Sequence, residues 1–270
     1  MARKFEADEV CAALGVSTAE YRGTGSFGET WRADFDGHDA AYKIIHNTGD
    51  DAERLRREVE GYRRIDNAHV VKFFDVRTFH VAGVDRPVMI FEYIPGCDLS
   101  ELIKVQRPTP EELRGLARGL LTGVLALHGA DLLHRDLKPA NIALRDGKYD
   151  GAVILDLGLA KLLDVESITR YPTLLGTTFY MAPEQLRQEK ALRASDLWAI
   201  GEMLFEAATG SHPFFRQGEA LGLPDALARL STPPVLPSDL PADIADLILR
   251  CLSEVPHRRG TVAKALSRLA

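Results

Sequence analysis

The chain is poor in cysteine. Its three thiols, Cys11, Cys97 and Cys251, lie far apart with no C-x-x-C pair, which argues against a disulfide framework or a zinc site and for reduced thiols in a cytoplasmic setting. Long apolar runs are missing too: none reaches bilayer-spanning length, and Met1-Ala2-Arg3-Lys4-Phe5-Glu6 lacks the apolar core of a secretory signal, so membrane insertion is not expected. An excess of basic charge is absent. A formal net charge of −6 leaves no electrostatic footprint for nucleic acid. Internal repeats and low-complexity tracts are lacking as well. What remains, 46% hydrophobic and 27% charged over 270 residues, is ordinary globular composition with room for one large or two small domains.

The most informative stretch is His134-Arg135-Asp136-Leu137-Lys138-Pro139-Ala140-Asn141, which follows the apolar run Leu120 to Leu133. A charged run is ordinarily a solvated turn, but this spacing suits phosphoryl transfer. Asp136 can accept the proton of an attacking hydroxyl, Lys138 can neutralise a moving phosphoryl group, and Asn141 can ligate a metal ion. Upstream lies Gly23-Thr24-Gly25-Ser26-Phe27-Gly28, a G-x-G-x-x-G that dinucleotide-binding folds also use. Here Glu29 to Phe35 reads as a strand rather than a helix, Asp36-Gly37 as a hairpin turn, and His38 to Ile45 as the returning strand. A glycine-rich hairpin brings backbone amides close to phosphates. Lys43, inside an apolar strand, needs a charged partner. The next helix, opened by Asp50-Asp51, carries the apolar stripe Leu55, Val59, Tyr62 and Ile65 with Glu58 at its inner edge. Glu60 is the second candidate partner.

Val70 to Val81 and Pro87 to Ile94 read as further strands. Thr109-Pro110-Glu111-Glu112 opens a long helix to His128, by its capping Thr, its first-turn Pro and the Glu three after the cap. Ile142 to Leu144 and Val153 to Leu155 form a small hairpin that leads to Asp156-Leu157-Gly158, and Leu159 to Tyr180 shows no clear period. Leu197 to Ala208, opened by Asp196, then Pro241 to Leu252 and Val262 to Leu269 read as helices. Residues 1 to about 17 suggest a short helix without evident purpose.

In order and along nearly the whole chain these motifs resemble the protein kinase family, whose catalytic loop is H-R-D-L-x-x-x-N. Lys138, two places after Asp136, is similar to the Ser/Thr-directed branch, and the compact inserts resemble the eukaryotic-like kinases of bacteria. The resemblance implies an α+β, two-lobed kinase fold. Residues 1–96 would form a small antiparallel β-sheet lobe with one main helix, and residues 97–270 a larger, mostly helical lobe. It implies ATP and Mg²⁺ as cofactors, with Mn²⁺ as a substitute ion. Asp136, Lys138 and Lys43 would be catalytic, and Asn141 and Asp156 would hold the metal. The nucleotide would be bound by Gly23, Thr24, Gly25, Ser26, Phe27, Gly28, Thr30, Ala41, Lys43 with Glu58, the gatekeeper Phe91, hinge residues Glu92 and Ile94, Asn141 and Asp156. Two departures stand out: Thr30 where the family has Val, and Leu157 where it has Phe.

The resemblance also makes Gly176 to Glu184 the substrate-docking strip, with Thr177 bonded to Asp136 and Lys138. Ser167, Thr169 and Thr173 would be activation-loop phosphorylation sites, with Arg135 receiving the phosphate. Asp196 would tie down the catalytic loop, and Arg259 would pair with Glu184. The expected activity is ATP-dependent phosphorylation of Ser/Thr in protein substrates, with self-phosphorylation through a transient dimer. The alternatives are a pseudokinase-like nucleotide-binding scaffold and a small-molecule kinase of the same fold. Relatives with a linker, membrane helix and sensor make this chain either a stand-alone enzyme or one part of a larger protein.

Overall fold

The computed structural model describes residues 3–25, 28–46, 52–156, 179–216, 219 and 221–269, without the side chains of residues 52–54, 57 and 58. The chain divides into two compact units, Met1–Asp66 with Val71–Ile94, and Asn67–Val70 with Pro95–Ala270.

The first unit is built on an antiparallel sheet of β1 (Ala19–Thr24), β2 (Gly28–Phe35), β3 (His38–Ile45), β4 (Phe73–Val81) and β5 (Val84–Glu92), in the order β1-β2-β3-β5-β4. Alternation explains it. Trp31 and Ala33 of β2 and Ala40, Tyr42 and Ile44 of β3 are buried on one face with Val81, Val88 and Ile90, as a period of two requires. The expected turn at Asp36-Gly37 is present, with φ of 53° and 85°, the pair of positive values that favours Asn/Asp-Gly in two-residue hairpins. Residues near the N-terminus acquire a purpose here. Helix α1 (Ala7–Leu14), ended by Gly15 in the left-handed conformation, belongs to a segment that buries Phe5 and Val10 against the sheet core, about 1.5–3 kcal/mol for each side chain. Helix α2 (Ala52–Arg63) puts Val59 and Tyr62 in the core, and Tyr62 meets Phe91 edge-on at 4.9 Å.

The second unit starts with the short strand β6 (Gly96–Asp98) and α3 (Leu99–Val105), capped by Asp98, whose Oδ1 accepts from the Glu101 amide at 2.9 Å. Helix α4 (Pro110–Gly129) follows, with the expected reciprocal Thr109–Glu112 cap. Its apolar stripe Leu113, Leu116, Leu120, Val124 and Leu127 is fully buried. Strands β7 (Ile142–Arg145) and β8 (Ala152–Ile154) pair Ile142 with Ile154, and β6 completes this three-stranded sheet. After them come α5 (Pro183–Leu186), α6 (Arg193–Thr209), α7 (Leu223–Leu230), α8 (Ala242–Cys251) and α9 (Val262–Leu266).

Several expected boundaries move. Strand β4 begins at Phe73 rather than Val70, because Val70 belongs to the second unit and pairs there with Ile154. Helix α6 starts at Arg193, so Asp196 lies in its first turn instead of opening it. The Ser195 hydroxyl accepts from the Leu192 amide at 3.0 Å, which moves the start upstream. Pro241 is the N-cap of α8, not part of its first turn.

Candidate active site

In the second unit the charged loop after α4 is held from behind by one buried carboxylate. Asp196, 2% exposed, accepts from the His134 amide at 3.1 Å, from the Arg135 amide at 2.9 Å and from His128 Nε2 at 2.9 Å. Those bonds, with the Arg135 carbonyl accepting from Gln185 Nε2 at 3.1 Å, hold Arg135 at φ 66°, a conformation that costs a non-glycine residue about 1–3 kcal/mol unless its surroundings impose it. His134 is fully buried. Its Nε2 lies 2.9 Å from the Leu155 carbonyl and its Nδ1 3.3 Å from the Asp136 amide. A carbonyl only accepts and an amide N–H only donates, which fixes the Nε2–H neutral tautomer. His134 therefore ties Asp136 to the segment after β8 that leads to Asp156.

Three of the expected residues meet within this loop. Lys138 Nζ is 3.1 Å from Asp136 Oδ2, and Asn141 Nδ2 donates to the Asp136 carbonyl at 2.9 Å with Oδ2 at 3.5 Å. Asn141 thus uses its amide nitrogen on Asp136 and keeps Oδ1 as its acceptor atom. The Leu155 amide donates to the Asn141 carbonyl at 2.8 Å, so the β7–β8 pairing sets Asp156 next along the chain. Asp156 is exposed at φ 44°. An amide oxygen and a carboxylate form a hard-oxygen pair, which suits a small divalent cation that also keeps water or phosphate ligands. Burial lowers the Arg135 pKa below its ordinary value against the opposing charge of Asp196, and its Nε has no hydrogen-bond partner among the described residues. Thr177, Ser167, Thr169 and Thr173 lie outside the described residues.

The expected Arg259–Glu184 pair is present and bidentate, at 2.7 and 2.9 Å, with side chains 0% and 2% exposed. The Ser195 hydroxyl donates to the same carboxylate at 2.7 Å. Burial raises the Glu184 pKa, but these bonds pull harder and hold it below the ordinary carboxylate range.

In the first unit Lys43 stands opposite Thr30 on β2 and Met89 on β5, and Ala41 stands opposite Phe91. These residues lie on the sheet face opposite Trp31 and Tyr42. Gly28 is required by its surroundings: a Cβ there would fall 2.2 Å from the Ile44 carbonyl oxygen. The Gly25 amide donates to the Gly28 carbonyl at 2.9 Å, closing the glycine-rich turn that Gly23 and Thr24 enter from β1. Ser26 and Phe27 lie outside the described residues, as does the Glu58 side chain. Its rival Glu60 is engaged elsewhere, with Arg64 and with Arg56 at 3.7 Å. Phe91 is buried, the Glu92 amide donates to the Lys72 carbonyl at 2.9 Å, and Ile94 ends this unit.

The family resemblance pointed to Asp196 as a support of the loop, but two others were missed. His134 and Gln185 act through bonds to residues 21 and 50 positions away, and their only sequence signal was a polar residue beside an apolar run.

A family model for the protein kinase domain matches residues 17–269. The chain is 35% identical over 254 residues to a probable serine/threonine-protein kinase, PkwA, of Thermomonospora curvata, covering 92% of this chain and 33% of that protein. It is 30% identical over 260 residues to the serine/threonine-protein kinase PkaB of Streptomyces coelicolor, covering 92% and 60%. With the serine/threonine-protein kinase PknA of Corynebacterium glutamicum it shares 29% over 256 residues, covering 89% and 53%. The chain therefore spans between a third and three fifths of these relatives.

Proposed function

The chain belongs to the protein kinase domain family, and on that premise we propose that it transfers the γ-phosphate of ATP to Ser and Thr hydroxyls of protein substrates. The observation that carries this reading is the hydrogen-bonded cluster of Asp136, Lys138 and Asn141 on a loop pinned by Asp196. In it Asp136 orients the attacking hydroxyl and takes its proton. Lys138 brings a positive charge to where the phosphoryl group passes. Little covalent chemistry is asked of these side chains, and rate comes from orientation and charge stabilisation.

Asn141 Oδ1 and the Asp156 carboxylate would hold Mg²⁺, with Mn²⁺ as a substitute. When bound, the ion neutralises charge on the phosphate oxygens. Lys43 would hold the α- and β-phosphates with Glu58 as its partner, a role that Glu60, already paired, is less suited to fill. Gly23, Thr24, Gly25, Ser26, Phe27 and Gly28 would lie over the phosphates. Thr30, Ala41, Phe91 and the backbone of Glu92 and Ile94 would line the adenine slot. Residues 1–96 and 97–270 would act as the two lobes. Ser167, Thr169 and Thr173 are the proposed self-phosphorylation sites, reached through a transient second copy. A cytoplasmic setting belongs to the same reading. Two facts agree with it: Cys11, Cys97 and Cys251 are free thiols, and among the described residues no helix is long and apolar enough to cross a membrane.

The test is mass spectrometry of the purified protein and of a generic basic protein, before and after incubation with ATP and Mg²⁺. The expected result is phosphate on Ser or Thr of both. ATP binding without any phosphorylated residue would favour the pseudokinase-like scaffold and overturn the proposal.

A further inference from the structure

A carboxylate lies fully buried one residue past the glycine-rich turn. Glu29 of β2 is 0% exposed, and a buried charge is costly unless it is hydrogen-bonded. Its Oε1 accepts from the backbone amide of Lys4, and its Oε2 accepts from Trp31 Nε1 at 3.3 Å. His46 Nε2 stands 3.8 Å from Oε1 and has no hydrogen-bond partner among the described residues. The indole belongs to the same strand. The amide comes from 25 residues upstream, in a segment that lies ahead of the residues 17–269 matched by the kinase family model.

That segment is anchored on both sides of Lys4. Phe5 is buried, with its ring 5.8 Å from that of His46 and 5.1 Å from the Arg86 guanidinium, which also donates to the His46 carbonyl. The Arg3 guanidinium lies 5.0 Å from the Trp31 ring, and Arg3 Nε donates to the Phe5 carbonyl at 2.6 Å. A period of two puts Glu29 and Trp31 on the sheet face opposite Thr30 and Lys43, so the carboxylate itself faces away from Lys43. Its backbone is tied to the turn. Glu29 pairs with Ile44 and Gly28 with Ile45, Gly28 leaves no room for a Cβ beside the Ile44 carbonyl, and the Gly28 carbonyl accepts from the Gly25 amide. A shift of Glu29 is therefore a shift of the turn.

We propose that Glu29 is a positioning residue for the glycine-rich turn, and that the N-terminal segment around Lys4 and Phe5 holds it in place and so sets nucleotide affinity from the far face of the sheet. The assignment rests on the kinase reading, which is what gives the turn its phosphates. With the segment docked, the turn is preorganised. With it released, the buried carboxylate loses a donor and draws toward water, taking the Gly28 backbone with it. A site that is competent for only a fraction of the time binds its ligand more weakly by that fraction, whereas saturating ligand restores the competent state. The signature is a raised KM for ATP at nearly constant kcat.

The test uses the full chain. Lys4→Pro removes the donor N–H, Lys4→Ala keeps it, and Glu29→Gln puts one acceptor and one donor group where two acceptors stood. Titration with fluorescently labelled ADP and Mg²⁺ gives Kd, steady-state kinetics gives KM and kcat, and each sample is melted. Lys4→Pro is expected to bind the nucleotide about fivefold more weakly than Lys4→Ala, as for a turn competent about a fifth of the time, at similar kcat. Glu29→Gln is expected to show the same split against the wild type. The double variant Lys4→Pro/Glu29→Gln is expected to show no more than the larger single effect, because both changes remove one bond. Should Lys4→Pro fail to melt cooperatively, Glu29→Gln decides the question alone. Unchanged Kd and KM, even with a lowered Tm, make the contact merely structural and overturn the assignment, as do additive effects in the double variant; either result leaves the kinase reading intact. A wild-type chain that binds no nucleotide overturns the kinase reading and this assignment with it.

Discussion

Lys138 Nζ stands 3.1 Å from Asp136 Oδ2, and both side chains are largely buried, at 21% and 17% exposure. A cation held this close to the proposed base is preorganised beside the path of the phosphoryl group, where charge develops in the transition state. Lys138→Met should therefore lower kcat by about 10²–10³-fold, the usual effect of removing one preorganised donor, with KM for ATP little changed. Steady-state kinetics with varied ATP checks this. A raised KM at constant kcat would assign Lys138 to ground-state binding instead.

Among the described residues Asp196 is the sole acceptor for two loop amides, those of His134 and Arg135. Asp196→Ala leaves both unsatisfied, at about 1–3 kcal/mol each. It should also release Arg135 from its left-handed conformation and shift Asp136, so kcat is expected to fall by about 10²-fold on positional grounds. Calorimetry and kinetics on the same sample decide it. A lower Tm with full kcat would show that the loop holds its shape without Asp196.

Arg259 and Glu184 form a saturated buried pair, and the Arg259 guanidinium also reaches the carbonyls of Ser253, Ala194 and Glu254. Arg259→Met strands a buried carboxylate and should cost about 3–5 kcal/mol, whereas Glu184→Gln/Arg259→Met together should cost less. The pH dependence has a definite sign. A carboxylate with a depressed folded pKa contributes stability above its unfolded value, and that contribution is lost as pH falls through the folded one. Acid unfolding followed by circular dichroism should therefore be less steep for the double variant than for the wild type.

His212 Nε2 and Glu202 Oε1 are 3.7 Å apart, and neither has a hydrogen-bond partner among the described residues. Burial pushes Glu202 well above the ordinary carboxylate range and His212 down to about 3. A raised carboxyl contributes stability below its unfolded pKa and loses it as pH rises through the folded one. Glu202→Gln should therefore raise Tm at pH 8 by more than at pH 4. Equal shifts at both pH values would contradict the assignment.

Much of the first unit could be read in the sequence because its signals are local. The residues of β2 and β3 alternate around Asp36-Gly37, so pattern and turn agree. The Thr109–Glu112 cap of α4 is likewise complete within four residues. Asp136, Lys138 and Asn141 were legible for the same reason, since a six-residue loop brings them together. Their supports were not. Asp196 reaches the loop from 61 and 62 residues away, and only the family resemblance pointed to it. Helices α3 and α7, of seven and eight residues, are too short for a periodic signal, and the approach of His212 to Glu202 is set by the turn after α6, which no period marks.

The most direct measurement is transfer of labelled phosphate from ATP to a Ser/Thr substrate by the wild-type chain and by Asp156→Asn, with a thermal melt of each. The account predicts transfer by the wild type, none by Asp156→Asn, and the same cooperative melt for both. Substantial residual turnover by a well-folded Asp156→Asn would contradict it.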